Sequence, residues 1–284
     1  MAEITTERSE KQRFQHDGIS SKIAKIESIF LDSNIGINNS HKLLGLLRNA
    51  KDLALAWAKS DVENTDMNKL FCALHVERIY QGVQSLEFED NKEKYLKDLL
   101  NGTLDFFERR DSHAKNILWE LEVFRKIKKV IPETYLEEPD IVANINQCRI
   151  AIPCKKTYSE NGVPKALSKA VSQIENDHEF GIVAMNIDDL IPEAVLLRAR
   201  TFKEAGDKLH NINMNFLARH EHHFLKYLSK SRILAVIAST SMVTDIADES
   251  PQFNNFSQWA IWTIPGLKTE HQNALNYFRS KVIG

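Results

Sequence analysis

Apolar positions recur with two different periods along this chain, and the change of period divides it. Up to about residue 111 the period is helical. Ile23, Ile26 and Phe30 fall on one helix face. Leu43, Leu44, Leu46, Leu47, Leu53 and Trp57 mark a second helix, with Ser40 as its candidate cap, and Leu70, Phe71, Leu74, Ile79 and Val83 mark a third. Polar stretches such as KSDVENTD separate these stripes, so a helical region is predicted over residues 1–110, with a disordered leader over 1–18. A long helix is predicted over 92–129, with a break near Asn101-Gly102. On its second half Ile117, Phe124 and Ile127 form one stripe, flanked by Leu118 and Leu121. Glu120 falls inside that stripe, whereas Glu122 lies on the flank and is expected to face solvent. A carboxylate among apolar side chains is costly unless it is paired. Its helical neighbours Asn116, Ile117, Val123 and Phe124 offer no cation.

Beyond Lys129 the pattern becomes strand-like. Residues 130–135 read as a first strand, and Ile141-Val142 opens a second. Pro139, with a fixed φ and no N–H, suits a strand start. Asn144, Asn146 and Gln147 supply a polar turn, and Ile150, Ala151, Ile152 and Cys154 a third strand that ends in Lys155-Lys156. After the Asn161-Gly162 turn, Pro164 can open a helix with Ala166, Leu167, Ala170, Val171 and Ile174 on one face. Residues 180–187 then read as a buried strand. Residues 188–229 read as mainly helical, 232–243 and 258–264 as strands, and 269–282 as a closing helix. The class is therefore α/β, with an α-β-β-β-α-β order at its centre and a second unit assigned to residues 111–284.

The 284 residues are 43% hydrophobic and 27% charged, in the range of a soluble globular chain that is long enough for a sizeable core. No apolar run reaches membrane-span length, and the polar start reads as neither a signal nor a transit peptide. Three scattered cysteines fit neither a disulfide framework nor a zinc site, so a reducing cytoplasm is the expected setting. A net charge of −2 gives no global steering toward nucleic acid, so a binding face must be local. Eight basic residues stand against three acidic ones over 198–232, and Lys155, Lys156, Lys165 and Lys169 form a second cluster. Such faces make polyanion binding sensitive to salt. The His220-Glu221-His222-His223 run lacks the spacing of two ligands one turn apart, and reads as a solvated or phosphate-facing helix surface.

Pro139-Asp140 and, thirteen positions after Asp140, Pro153-Cys154-Lys155 resemble the PD-(D/E)XK nuclease superfamily with its restriction-endonuclease-like fold. Pro153 stands where that pattern has its second acid. The resemblance implies metal-dependent hydrolysis of a phosphodiester in nucleic acid, DNA foremost, as in defence or repair nucleases. It implies Asp140, Glu120 and Lys155 as catalytic residues. Asp140, Glu120 and the Cys154 carbonyl would be ligands for Mg²⁺ or Mn²⁺, and Lys156, Gln173, Lys165 and Lys169 would contact substrate. A protein partner or a homodimer through the N-terminal helices is compatible with it. The alternative is an inactive nuclease-fold subunit that binds nucleic acid or scaffolds a complex; a second is a helical interaction protein with an unrelated α/β part.

Overall fold

The computed structural model describes residues 3–13, 18–58, 66–106, 108–146, 148–192, 195–250 and 252–282, the first of these through its backbone alone. Gln147 and most of the KSDVENTD stretch lie outside the described residues. Three helices, α1 (Ile19–Asp32), α2 (Lys42–Ala58) and α3 (Met67–Gln84), occupy the first part, as their apolar periods predict. The expected long helix is two: α4 (Lys92–Leu99) and α5 (His113–Lys128). The break is a connection in which Gly102 adopts φ 128° and Ser112 Oγ donates to the Thr103 carbonyl at 2.7 Å. Only glycine holds that backbone angle without strain.

The strands form one nine-stranded sheet with the path β1-β9-β8-β6-β4-β3-β2. The first of them is a correction. Glu3–Arg13, read as part of a disordered leader, is β1, antiparallel to β9 (Phe253–Thr263) with a shift of register between Ile4 and Thr6. Its charged sequence carries no apolar alternation, and the partner that orders it lies some 250 residues away in the sequence. Thr134–Tyr135 (β2), Ile141–Ile145 (β3) and Cys148–Ile152 (β4) follow α5 as an antiparallel meander. Pro153 has no N–H for the ladder and divides β4 from β5 (Cys154–Lys156). The register nevertheless runs through it: Ile150 lies opposite Phe180 and Cys154 opposite Ala184 of β6 (Phe180–Asn186). The Pro153 carbonyl still accepts from Ala184 N at 3.0 Å.

Helix α6 (Val163–Asp177) makes the crossover to parallel β6, so the order helix, strand, strand, strand, helix, strand is present. Beyond it lie β7 (Leu197–Ala199), α7 (Phe202–Leu228), β8 (Ala235–Ile246), β9 and α8 (Thr269–Val282). The short β7, parallel to the end of β8, interrupts the region expected to be mainly helical.

Helices α5 and α8 cover one face of the sheet, packing on Ile150, Ile152, Ile182, Ala184 and Ile237. Helices α6 and α7 cover the other through Val183, Met185, Val236 and Trp262. Helices α1 to α4 join the α5 side, and their buried residues are continuous with that core. Close approach of α3 to α5 depends on Gly82, where an added Cβ would lie 2.5 Å from Leu118 Cδ1. No described helix is long and apolar enough to cross a membrane.

Candidate active site

Strand register builds the site. Ile141 pairs with Ile152 across β3 and β4, so one step further Asp140 comes beside Pro153. There the Asp140 carboxylate caps the start of β5. Its Oδ2 accepts from Cys154 N at 2.6 Å and from Lys155 Nζ at 2.9 Å. The ammonium of Lys155 also donates to the Cys154 carbonyl at 3.1 Å. Both side chains are largely buried, at 17% and 15% exposed, so the pair is shielded without being sealed from solvent.

Glu120 of α5 completes the group. Its carboxylate has no hydrogen-bond or ion-pair partner among the described residues, although α5 packs directly against β5. Burial, then the neighbouring Asp140 charge, pushes the Glu120 carboxyl well above its ordinary range; Lys155 and Lys94 oppose this only in part. Asp140 is raised as well, chiefly by burial and against the pull of Lys155. Buried Cys154 is raised by burial and by both carboxylates. Two half-buried carboxylates thus stand near one another with only Asp140 paired directly to an ammonium, so the site is short of positive charge.

The helical pattern over 92–129 covers α4 but places no site residue on it, yet this helix borders the site. Tyr95 is 5% exposed, and its phenol is raised by burial and then by Glu120 and Asp140. Its only signal in the sequence is a place on the apolar stripe of α4 with Leu96 and Leu99.

The residues implied as substrate contacts divide. Lys165 and Lys169 are exposed on α6. Gln173 Nε2 donates to the Pro139 carbonyl at 3.4 Å and ties α6 to the start of β3, while its buried Oε1 has no partner. Lys156 is a correction: its side chain, 2% exposed, turns inward, pairs with Asp189 and donates to Asn186 Oδ1 at 2.6 Å. Alternation along β5 sends it away from Lys155.

Glu122 is a second correction. It is buried and binds Arg78 of α3 in a bidentate pair, with Nε to Oε1 at 2.7 Å and Nη2 to Oε2 at 3.0 Å. Arg78 also lies 3.5 Å from Asp188 Oδ2. Asp188 accepts from Ser241 N at 2.6 Å through Oδ1. Burial alone would raise Asp188, but Lys156 and Arg78 hold it below its ordinary range. Lys115 and Arg109 lie 3.6 and 3.7 Å from Asp189 Oδ1. The signal that could have revealed this cluster is the Asp188-Asp189 pair directly after an entirely buried strand.

His220 is not solvated. It is 7% exposed, packs beside Phe216 and Phe224, and bonds to Glu160. Most of the basic excess over 198–232 is met by acids from other elements: Asp245 for Arg198, Asp248 for Arg200, Glu160 for Arg219 and Glu175 for Arg232. Exposed pairs of this kind are weak, on the order of 0–1 kcal/mol, so these cations can exchange partners.

Comparison with protein-family models, with curated proteins and with solved structures gives no match.

Proposed function

We propose that the chain hydrolyses phosphodiesters in nucleic acid, DNA foremost, with a divalent cation at Glu120 and Asp140. The observation that carries this reading is the convergence of an unpartnered Glu120 carboxylate, Asp140, Lys155 and the Cys154 carbonyl at the Pro153 break. The donor set is all oxygen, which suits Mg²⁺ or Mn²⁺ with water in the remaining positions. Burial and neighbouring negative charge raise both carboxyls, and a divalent cation beside them would offset that repulsion. No group of three or more His, Cys, Asp or Glu side chains stands ready for a metal among the described residues, so binding is expected to be weak. The chemistry such an ion supplies is polarisation of a phosphoryl oxygen and a lowered pKa for water.

The chain's own residues do the rest. Asp140 is fixed by the Cys154 amide, so its own side chain stays in place when it receives positive charge. Lys155 uses two of its three N–H donors on Asp140 and Cys154, and the third is left for a phosphate oxygen or a water. Lys165 and Lys169 attract the polyanion backbone from the surface of α6.

Incubation of the protein with plasmid, linear and single-stranded substrates, in Mg²⁺, in Mn²⁺ and in EDTA, tests the reading. Cation-dependent cleavage that is lost in Asp140→Ala and Lys155→Ala is expected. Cleavage that is equal in EDTA, or that persists in Asp140→Ala, removes this group as the catalytic centre. A second reading, an inactive nuclease-fold subunit that binds nucleic acid or scaffolds a complex, is favoured by Pro153, which offers no side-chain oxygen. Retention of nucleic acid without cleavage under every metal condition selects it.

A further inference from the structure

Lys155 stands in the place that a cation would take. Its ammonium lies 2.9 Å from Asp140 Oδ2 and 3.1 Å from the Cys154 carbonyl, two of the oxygens available for ligation. A divalent ion on those oxygens, at the ~2.0–2.1 Å typical of Mg²⁺, would come within contact of Nζ. Two positive centres at that separation repel strongly at a site so little hydrated. Pro153 offers no further carboxylate on which the ion could settle away from the lysine. Glu120 has no hydrogen-bond or ion-pair partner among the described residues, so the ammonium neutralises only part of the local negative charge.

We infer that Lys155 is a tethered counter-ion that blocks divalent-metal entry until a nucleic-acid phosphate draws its ammonium away, so that metal and polyanion bind cooperatively. The inference rests on the proposed metal site and concerns the order in which that site fills. Departure of the ammonium leaves the Cys154 carbonyl open and Asp140 Oδ2 held only by the Cys154 amide, with a lone pair available on the side that Lys155 vacates. The phosphate oxygen receives the same ammonium on the other. Linkage makes the effect reciprocal: metal must tighten nucleic-acid binding by the factor with which nucleic acid tightens metal binding. The stem of Lys155 is long enough to swing because its aliphatic part, unlike that of Lys156, is not locked in a buried ion pair with Asp189.

Mn²⁺ binding, followed by the paramagnetic resonance of the free ion, tests this on the full chain. Wild type and Lys155→Met are titrated with and without a phosphorothioate DNA duplex, and the duplex alone serves as the blank. The inference expects weak binding by wild type alone, and roughly fivefold or greater tightening when duplex is present, the scale of a typical coupling. It expects Lys155→Met to bind Mn²⁺ at least that much more tightly than wild type without duplex, and to gain little from it. Wild type and Lys155→Met binding Mn²⁺ equally, with both losing it in Asp140→Asn, overturns the blocking role and leaves the metal site standing. Absence of Mn²⁺ binding in both proteins, with or without duplex, overturns the blocking role and the metal site together. The wild-type titrations with and without duplex need no variant, so a misfolded Lys155→Met would not rescue the idea.

Discussion

Glu120→Gln is expected to stabilise the metal-free protein at neutral pH. In the folded chain the Glu120 carboxylate has no hydrogen-bond or ion-pair partner among the described residues and feels the charge of Asp140. Gln has nearly the same shape, removes the charge and can donate to Asp140. Glu120 is half-buried, so its charge keeps some contact with water and costs less than a fully buried unsatisfied one, on the order of 1 kcal/mol. A gain of about 1 kcal/mol therefore follows, at roughly 2–4 °C in Tm per kcal/mol for a chain of this size. The pH dependence fixes the sign. The folded carboxyl is raised above its unfolded value, so between the two values the folded protein holds a proton that the unfolded chain has released. Stability of the wild type then falls as pH rises through that window. Below the unfolded value of about 4.3 both states are protonated and the advantage of the variant vanishes. Urea unfolding followed by circular dichroism, in EDTA at pH 8 and at pH 4, measures both limits. Mn²⁺ added together with duplex DNA should then raise the Tm of wild type above that with duplex alone, and of Glu120→Gln far less. A variant that is no more stable than wild type at pH 8, or equally advantaged at pH 4, refutes the reasoning.

Glu122→Ala leaves the Arg78 guanidinium buried without its bidentate partner, and should cost about 3–5 kcal/mol in urea unfolding. Arg78→Met combined with Glu122→Leu removes the stranded guanidinium but also one of the two cations that hold buried Asp188, so it should recover only part of that loss. Asp188 is held low by Lys156 and Arg78, so its contribution is present above the unfolded value of about 3.9 and is lost as pH falls through the lower folded value. Asp188→Asn should therefore be less stable at pH 6 and lose less on acidification, as read from melts between pH 2 and 6. Pro153→Glu adds a carboxylate on the face of Lys155 and should tighten Mn²⁺ binding and raise cleavage, and no change in either would detach position 153 from the site. Reversal of charge at Arg198, Arg200 and Lys203 together should weaken duplex retention at low salt for all sequences alike; unchanged affinity in a filter-binding assay removes that face from the nucleic-acid surface.

What the sequence determined by itself was periodicity and local chemistry. The stripes of α1, α2 and α3, the turn after β3, the crossover helix α6 and the buried strand β6 follow from spacing within a dozen residues, where one helix face or one strand alternation is enough. Asp140 and Lys155 could be placed together because a short hairpin fixes their register. Glu120 could be singled out because a charge within an apolar stripe is visible locally.

Tertiary structure decided whatever depends on a partner remote in sequence. Glu122 is buried because Arg78, 44 residues earlier, arrives on α3 to neutralise it. Lys156 faces inward because Asp188 and Asp189 follow β6 and gather its charge there. The charged segment Glu3–Arg13 becomes a strand because β9 presents an open edge. A desolvated charge is tolerated only where an opposite charge meets it, and a strand exists only where another pairs it. Neither condition can be read from a stretch of chain on its own.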